Sequence, residues 1–385
     1  MKLGQIMSYM EVPLPDSVQD TLAKLQTGHH GMPEAETRAV IESTLGDSLE
    51  ALFDSFDVKP IAAASIGQVH RARFAGRDVA VKVQYPDVAQ SFTEDLGAIG
   101  RIASLASLAS AVDGTAIVEE LGARLQEECD YQREAVMQRS FARAFADDPA
   151  VRVPDVVGAR SARTVLTSEW IDGDSFETIR RTADPARRTA IARTLVRFSI
   201  RSMLGLATIQ ADPHPGNFLF TTGDEVAFLD FGCVRHLDRD LVVALRQMAT
   251  ALRDDDRASA REAAIAMGLV GNPRKFDHDH FFVTMEAMHR PLLRRRFRFE
   301  PRFMRDAMAL NGPTSPNART MAFPPAYLWV SRLQWGLWAI LTKLGVEGSF
   351  DDILDEVLSH PITPMPTVAG DELVPTDAPL PARGA

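Results

Sequence analysis

The amino-acid sequence predicts an α+β protein with a small lobe that contains a sheet and a larger lobe built from helices. Two observations lead to this fold class. Strand-like runs of apolar residues are concentrated in residues 65–88, residues 163–173 and residues 217–232. Helical spacing dominates the residues before 60 and those after Gly232. Segregated strands and helices of this kind are typical of α+β proteins.

The order of these segments divides the chain of 385 residues into four parts. We expect a helical extension over residues 1–59, a small lobe over residues 60–170 and a large lobe over residues 171–360. The tail, residues 361–385, is rich in Pro, Gly and Thr and is expected to be disordered. The total length fits two or three domains of about 150 residues, or one large bilobal unit.

The composition excludes several classes of protein. Hydrophobic residues make up 45% of the chain and charged residues 24%, as in ordinary globular proteins. A formal net charge of −10 argues against bulk nucleic-acid binding, which usually leaves a basic footprint. The chain has two cysteines, Cys129 and Cys233, so we expect no disulfide scaffold and a reducing compartment such as the cytoplasm.

The sequence does not predict a membrane-spanning helix. The first residues are not a secretory signal, because Glu11 and Pro13 interrupt a short apolar run. The strongest candidate for a span, residues 326–345, is interrupted by Arg332 and Lys343. We therefore expect a buried helix there, and at most a peripheral contact with the inner face of a membrane.

The extension and the small lobe differ in the spacing of their apolar residues. The stretches "DSVQDTLAKLQ" and "EAETRAVIESTLG" read as helices, and the second ends at Gly46. From residue 65 the pattern predicts two strands joined around Ala75-Gly76. In the second strand, "DVAVKVQ", the valines share one face and Lys82 points to the other.

The remaining elements are predicted from the same patterns. Residues 91–145 and 185–209 read as long helices, with a strand and turn in "RTVLTSEWIDG" between them. Two apolar runs joined by residues 222–224 predict a hairpin over residues 217–232. After that hairpin we expect helices to about residue 360.

The stretch "DPHPGNFLF" holds an acid, Asp212, and an amide, Asn217, five residues apart before a strand. In phosphoryl transfer an acid can orient the attacking hydroxyl while an amide helps to hold Mg²⁺. Mg²⁺ prefers hard oxygen ligands and keeps several waters, so few protein ligands suffice. Pro213 and Pro215 restrict the backbone and lower the entropy cost of ordering this loop.

The spacing alone is weak evidence, because Asp306 and Asn311 repeat it inside a segment predicted as a plain helix. The residues after Asn217 distinguish the first copy from the second. The hairpin that begins there ends in "DFG", which starts at Asp230, as expected when a metal-binding acid leaves a strand beside the loop. A turn that merely contains an aspartate is the alternative, and the ordered pair of motifs argues against it.

Phosphate binding also requires a cation upstream, and Lys82 in "VAVK" is the candidate. The alternative is an exposed strand lysine. The stretch "EECDYQREA" supplies acids to hold it, and Asp130 and Glu134 share a helical face. A solvated acidic face is the alternative there. A loop facing the phosphates is expected just before the first strand. It comprises Ala62, Ala63, Ala64 and Ser65, and a helix start is its alternative.

These residues resemble the UbiB/AarF/ADCK family of atypical protein-kinase-like proteins, over residues 2 to about 350. "KLGQ" at residues 2–5 resembles the KxGQ motif, and residues 62–65 resemble the alanine-rich loop. "ECD" at residues 128–130 resembles the ExD motif. The family's strand lysine corresponds to Lys82 and the acid that pairs with it to Glu134. The family's catalytic-loop and metal positions correspond to Asp212, Asn217 and Asp230. Gln210 stands where many relatives have histidine.

The resemblance implies a bilobal protein-kinase-like fold with an N-terminal helical cap, and ATP with Mg²⁺ as cofactors. It makes Asp212, Lys82 and Glu134 the catalytic candidates. The implied metal ligands are Asn217 and Asp230. The implied nucleotide-binding residues are Ala62, Ala63, Ala64, Ser65 and Lys82. The adenine edge is expected to meet the backbone near Glu169 and Ile171, after the strand in "RTVLTSE". The implied regulatory residues, which approach the site and exclude a protein substrate, are Lys2, Gln5, Glu128 and Asp130.

Two functions remain open. The first is an ATPase or kinase that acts on a small molecule or lipid, such as an isoprenoid-quinone precursor. The second is a nucleotide-gated chaperone for lipid-like precursors with little or no phosphotransfer. An aminoglycoside- or choline-kinase-like enzyme is a lesser option, which the alanine-rich loop argues against. The arginines of residues 290–298 form either a lipid-phosphate patch or a salt-bridged face. Residues 321–338 form either core or a prenyl-tail groove.

Overall fold

The computed structural model describes residues 31–64, 66–86, 88 and 129–365. Its helices are α1 (Glu34–Leu45), α2 (Leu49–Leu52), α3 (Tyr131–Ala144), α4 (Phe176–Thr182), α5 (Pro185–Ile200), α6 (Arg239–Arg253), α7 (Arg257–Ala266), α8 (His278–Leu293), α9 (Pro301–Leu310), α10 (Pro325–Leu344) and α11 (Asp351–Ser359). Its strands are β1 (Ser55–Phe56), β2 (Ala62–Ala63), β3 (Gly67–Phe74), β4 (Arg77–Gln84), β5 (Val151–Arg152), β6 (Val165–Glu169), β7 (Thr208–Gln210), β8 (Phe218–Phe220), β9 (Val226–Phe228), β10 (Val234–His236), β11 (Phe297–Arg298) and β12 (Glu347–Gly348).

The small lobe is an antiparallel sheet in the order β1-β3-β4-β6, with β2 paired to β3. The turn between β3 and β4 has left-handed backbone angles at Ala75 (φ 50°) and Gly76 (φ 74°), the geometry of a tight hairpin. Val79, Val81 and Val83 are fully buried against α1 and α2. Lys82 alternates to the opposite face, as the sequence predicts.

The alanine-rich segment differs from the prediction, because part of it is a strand and not a loop. Ala62 and Ala63 form β2 and pair with Val69 and Gln68 of β3. The turn after β2 is closed by the N–H of Ala64, which donates to the carbonyl of Gly67 at 2.8 Å. Alanine resists positive φ, so its extended conformation satisfies the backbone by pairing. Ser65, at the turn itself, lies outside the described residues.

The large lobe surrounds one hydrophobic core formed mainly by α5, α6, α8, α10 and α11. Trp338 of α10 is 1% exposed and donates its indole N–H to the carbonyl of Met288 in α8. The predicted buried helix at residues 326–345 is therefore confirmed as α10. Among the described residues, none of the helices combines the length and the apolar character needed to cross a membrane.

Burial and ion pairing describe the two regions of this lobe for which the sequence left alternatives open. Four of the five arginines of residues 290–298 form exposed ion pairs, with Glu286, Glu300 and Glu347, as expected of a salt-bridged face. The lipid-phosphate patch stays a prediction. Residues 321–338 contribute Tyr327, Leu333 and Trp338 to the core. The second copy of the acid–amide spacing lies at the end of α9, as expected for a plain helix.

Of three predicted helical regions, one is described only in part and two differ from expectation. The helix predicted over residues 91–145 is described only from Tyr131, and residues 89–128 lie outside the described part. The helix predicted to residue 209 ends at Ile200. It continues as a π-helical turn over residues 201–205, and β7 then pairs with β10. Short strands also interrupt the region after Gly232, because long-range pairing there overrides local helical preference.

Both ends of the chain are described only in part. The helix predicted in "DSVQDTLAKLQ" falls within residues 1–30, which lie outside the described residues. The second helix of the extension is confirmed as α1, which ends at Leu45 with Gly46 as its left-handed cap (φ 81°). The tail predicted to be disordered is described only to residue 365, so that prediction stays a prediction.

The predicted hairpin over residues 217–232 is present as β8 and β9, and β5 adds a third, parallel strand. Phe218 faces Phe228 across the hairpin, and the N–H of Leu229 donates to the carbonyl of Asn217 at 3.0 Å. This register fixes Asn217 and Asp230 at the open end of the same hairpin. The hairpin therefore brings the backbone at Asn217 next to that of Leu229, the residue before Asp230.

Candidate functional site

Lys82 lies at the centre of a cluster of charges between the two lobes. Its Nζ is 2.9 Å from both carboxylate oxygens of Glu134 and 3.6 Å from Oδ2 of Asp230. The side chain of Lys82 is 17% exposed and that of Glu134 is 3% exposed. The expected pairing of Lys82 with Glu134 is thus present, and Asp230 shares the same ammonium group.

Local sequence explains how three separate elements meet there. Alternation along β4 turns Lys82 away from the valine core. Asp130 caps α3 by accepting hydrogen bonds from the backbone N–H of Gln132 (3.0 Å) and Arg133 (3.2 Å), so Glu134 lies in the first turn. Asp130 is therefore the N-cap of α3 and not, as the sequence predicted, a helical residue on the same face as Glu134.

Asp230 is positioned by its two neighbours on the C-terminal side. Phe231 is fully buried and packs against Phe141 of α3, with ring centroids 5.0 Å apart. The N–H of Gly232 donates to Oδ1 of Asp230 at 3.0 Å, and the N–H of Phe231 donates to Glu134 at 3.4 Å. These contacts turn the Asp230 carboxylate toward Lys82 and fix the "DFG" segment on α3.

The electrostatics of the cluster favour a charged lysine. Burial alone would lower the pKa of Lys82, but the carboxylates of Asp230 and Glu134 outweigh it and raise the pKa well above its ordinary value. The ammonium group is therefore present throughout the neutral pH range. A fixed cation in a partly buried cleft is suited to hold the phosphates of a nucleotide.

Asp212 lies in a second cluster, at the loop between β7 and β8. The amide Nδ2 of Asn217 donates to the backbone carbonyl of Asp212 at 3.0 Å and to its Oδ2 at 3.2 Å. Nη2 of Arg332, from α10, lies 2.7 Å from Oδ1 of the same carboxylate. The side chains of Arg332 and Asp212 are only 13% and 14% exposed.

The role of Arg332 was not predicted from the sequence, where this arginine stands as a polar interruption of an apolar stretch. That interruption was the one available signal that the helix faces something charged. The backbone of α10 approaches the loop closely at Gly336, where a Cβ would lie 2.3 Å from Cγ of Pro213. Trp329, one turn before Arg332, contacts the guanidinium of Arg332 and that of Arg235.

Gln210 links the two clusters. Its side chain is 5% exposed, and its amide Nε2 donates to the backbone carbonyls of Asp212 at 3.2 Å and Asp230 at 3.1 Å. The glutamine that stands in place of histidine is therefore a positioning residue, because it ties the Asp212 loop to the segment that carries Asp230. This role was not predicted from the sequence.

The donor set fits a magnesium ion that also binds phosphates. Because Nδ2 of Asn217 is turned toward Asp212, the remaining polar atom of its side chain is the amide oxygen, a ligand type that Mg²⁺ accepts. Asp230 supplies a carboxylate at the same end of the hairpin. In the part of the chain that the structure describes, there is no cluster of three or more His, Cys, Asp or Glu side chains suited to a metal. Phosphate oxygens and waters would complete the coordination.

At the predicted adenine-binding segment, one backbone group is already hydrogen-bonded within the protein. Glu169, the last residue of β6, accepts a bond from Arg152 at 2.5 Å, and its N–H donates to the carbonyl of Asp155 at 2.8 Å. That N–H is therefore engaged within the protein. Ile171 is half-buried next to it. Contact of either residue with adenine stays a prediction.

Of the four predicted regulatory residues, the structure describes one. Lys2, Gln5 and Glu128 fall outside the described residues. Asp130 is described, and its Oδ1 serves as the cap of α3. The alanines of the predicted phosphate loop lie in β2 and in the turn after it, and Ser65 is not described. The structure thus brings together Lys82, Glu134 and Asp230, and separately Asp212, Asn217 and Arg332.

Comparison with known proteins places these clusters in a family. Residues 24–264 match the model of the ABC1 atypical kinase-like domain. The chain is 36% identical over 238 residues to Protein ACTIVITY OF BC1 COMPLEX KINASE 3, chloroplastic, of Arabidopsis thaliana. That match covers 60% of this chain and 34% of the plant protein, so the chain spans about a third of this longer relative.

Two further matches extend over nearly the whole chain. The chain is 27% identical to Atypical kinase COQ8, mitochondrial, of Saccharomyces cerevisiae, over 94% of this chain and 74% of the yeast protein. A solved structure of Rv3197 in complex with erythromycin, from Mycobacterium tuberculosis, superimposes with a TM-score of 0.74 at 28% identity. That superposition covers 94% of this chain and 93% of the other.

The fold, the sequence motifs and the match to the family model all indicate the same family. The mixed α+β architecture is kinase-like, and the family model covers more than half of the chain. The chain therefore belongs to the ABC1 atypical kinase-like family, which is the UbiB/ADCK family that its motifs resemble.

Proposed function

We propose that the protein binds ATP with Mg²⁺ in the cleft between its lobes and hydrolyses it or transfers its terminal phosphoryl group. The observation that carries this proposal is the approach of the Lys82 ammonium to Glu134 at 2.9 Å and Asp230 at 3.6 Å. An acid on a helix that holds a strand lysine, with the "DFG" acid beside them, is the arrangement that active kinases require.

Each side chain has a chemical task in this proposal. Lys82 binds the α- and β-phosphates and is held in place by Glu134. Asn217 and Asp230 hold the magnesium ion, which when bound neutralises charge on the phosphates. Asp212 orients the nucleophile, a water or a hydroxyl of the acceptor. Arg332 keeps the Asp212 carboxylate in one orientation and contributes positive charge beside the transferred group.

We further propose that the acceptor or ligand is a small molecule or lipid, such as an isoprenoid-quinone precursor, and that the protein works in the cytoplasm or against the inner face of a membrane. The resemblance to the UbiB family supports this part of the proposal.

The test is ATP hydrolysis by the full chain with Mg²⁺, with Mn²⁺ and with a chelator. We expect slow turnover that requires the divalent ion and that the Asp230→Asn variant loses by at least about a hundredfold, because one oxygen ligand of the metal is weakened. Asp306→Asn is the matched control, since Asp306 lies in α9 and outside the cleft. If the wild type shows neither turnover nor thermal stabilisation by ATP·Mg²⁺, the proposal is wrong.

A second candidate is a nucleotide-gated binding protein for lipid-like molecules with little phosphotransfer. The similar structure in complex with erythromycin favours it, because that protein holds a large, largely apolar molecule. Binding of erythromycin measured by calorimetry, with and without ATP, separates the two candidates. Ligand affinity that depends on ATP but survives in the Asp212→Ala variant supports the second.

A further inference from the structure

Tyr131 buries a hydroxyl group beside Lys82, and the proposed function does not use it. It is the first residue of α3, and its side chain is 1% exposed. Within the described residues, its Oη has no hydrogen-bond partner. Burying a hydroxyl without a partner is unfavourable, so native proteins rarely keep one unless a further group satisfies it.

The packing of Tyr131 accounts for the ring but not for the oxygen. The ring belongs to a small cluster with Ile66, Cys129, Ala135 and Leu166. A phenylalanine would fill the same space without the cost of a buried donor. The hydroxyl therefore requires a partner that the described part of the protein does not provide.

The neighbours of the hydroxyl show where such a partner would lie. A Cβ at Gly67, at the start of β3, would come within 2.9 Å of Oη of Tyr131 and 2.2 Å of the carbonyl oxygen of Val83. The Nζ of Lys82 lies 4.9 Å from the centroid of the tyrosine ring. Tyr131 thus spans the space between the β2–β3 turn and the ammonium of Lys82. In a kinase-like site this is where the phosphates of the nucleotide pass.

The Tyr131 hydroxyl is protonated at neutral pH and can therefore donate a hydrogen bond. Burial raises the pKa of Tyr131 well above its ordinary value, and the nearby carboxylates of Glu134 and Asp230 raise it further, while Lys82 opposes them. Tyr131 is therefore a neutral donor at physiological pH. Phosphate oxygens are strong acceptors, and a hydrogen bond to a charged group is worth more than one between neutral groups.

We propose that Tyr131 is a nucleotide-binding residue whose Oη donates a hydrogen bond to a phosphate oxygen of ATP beside Lys82. The inference rests on the proposed function, because it needs ATP in this cleft. It adds a contact from the first residue of α3, so the helix that holds Lys82 through Glu134 also senses the phosphates directly. Glycine at position 67 leaves room for the hydroxyl, because a Cβ there would lie 2.9 Å from Oη.

The test is the Tyr131→Phe variant, measured as the thermal stability of the ligand-free protein and as the Kd of ATP·Mg²⁺ by calorimetry. We expect the ligand-free melting temperature to stay equal or rise, because an unsatisfied donor is removed. We expect the Kd of ATP·Mg²⁺ to increase about five- to tenfold, because a charge-assisted hydrogen bond is lost. Tyr327→Phe is the matched control, since Tyr327 is 4% exposed in the core of the large lobe.

The outcomes separate this inference from the proposed function. If the wild type binds no ATP, the proposed function fails and takes the inference with it. If the wild type binds ATP and Tyr131→Phe binds it equally well, only the inference is overturned. Weaker binding accompanied by a lower ligand-free melting temperature also overturns it, because the ring packing would then be responsible.

Discussion

The two charge clusters of the cleft are built in opposite ways. Around Lys82, one cation is shared by two acids, and the partners come from β4, α3 and the "DFG" segment. Around Asp212, one acid is shared by an arginine from α10 and an amide from its own loop. The first cluster is held by the small lobe and α3, whereas the second depends on a helix near the C-terminal end of the large lobe.

This difference shows how the cleft divides its work. A shared cation on the nucleotide side suits phosphates, which bring negative charge and can take over the ammonium group. A shared carboxylate on the other side suits a nucleophile, which needs an acceptor in a fixed orientation. Gln210 donates hydrogen bonds to the backbone carbonyls of Asp212 and Asp230, so a single amide connects the two clusters.

The largest effect is expected from breaking the Lys82 cluster on one side only. Lys82→Met leaves Glu134 buried without its cation, which destabilises a protein by about 3–5 kcal/mol. Chemical denaturation measures this loss. The Lys82→Met/Glu134→Met double variant is the control, and it should recover most of the stability while ATP binding remains lost. A single variant as stable as the wild type would contradict the burial of this pair.

A smaller effect is expected from the Asp212 cluster. A double-mutant cycle of Arg332→Met and Asp212→Asn should give a coupling of about 1–3 kcal/mol in the free energy of unfolding, because both side chains are mostly buried and in contact. Arg302→Met with Glu300→Gln provides the control cycle on an exposed pair, where about 0–1 kcal/mol is expected. Equal couplings in the two cycles would show that α10 does not hold Asp212.

The smallest effect is expected from alkaline pH. Folding raises the pKa of Lys82, so its contribution to stability is complete below the unfolded value of about 10.4 and is lost only as the pH rises through the folded value. The difference in melting temperature between the wild type and the Lys82→Met/Glu134→Met variant should therefore be the same at about pH 7 and about pH 9.5. A wild type that gains stability relative to the variant over this range would contradict the raised pKa, because stability rises with pH only where the unfolded state binds more protons than the native state.

The sequence predicted the first cluster better than the second for a physical reason. Lys82 could be placed from the period of one strand, and Asp230 from a hairpin and a motif, because these are local patterns. Arg332 lies 120 positions from Asp212 in the chain, and no local pattern couples them. The same limit explains the boundary errors, since β7 and β10 form by pairing across the loop and not from their own preference.

Two smaller differences arise where side chains or extended segments serve the backbone. The sequence placed Asp130 on a helical face. In the structure its side-chain oxygen accepts hydrogen bonds from the N–H groups at the start of α3, which would otherwise be unpaired. The alanine segment was expected to be a loop that faces the phosphates, but Ala62 and Ala63 pair with β3, which satisfies their backbone groups. In both places a hydrogen bond to the main chain decides the structure.

The close approach of Gly336 to Pro213 has a consequence for where this protein can be cut. The family model ends at residue 264, and a fragment ending there would contain every recognisable motif. It would lack α10, which packs against the Asp212 loop at Gly336 and supplies Arg332. The smallest unit that keeps its second cluster intact must therefore extend well past the last motif, at least through residue 344.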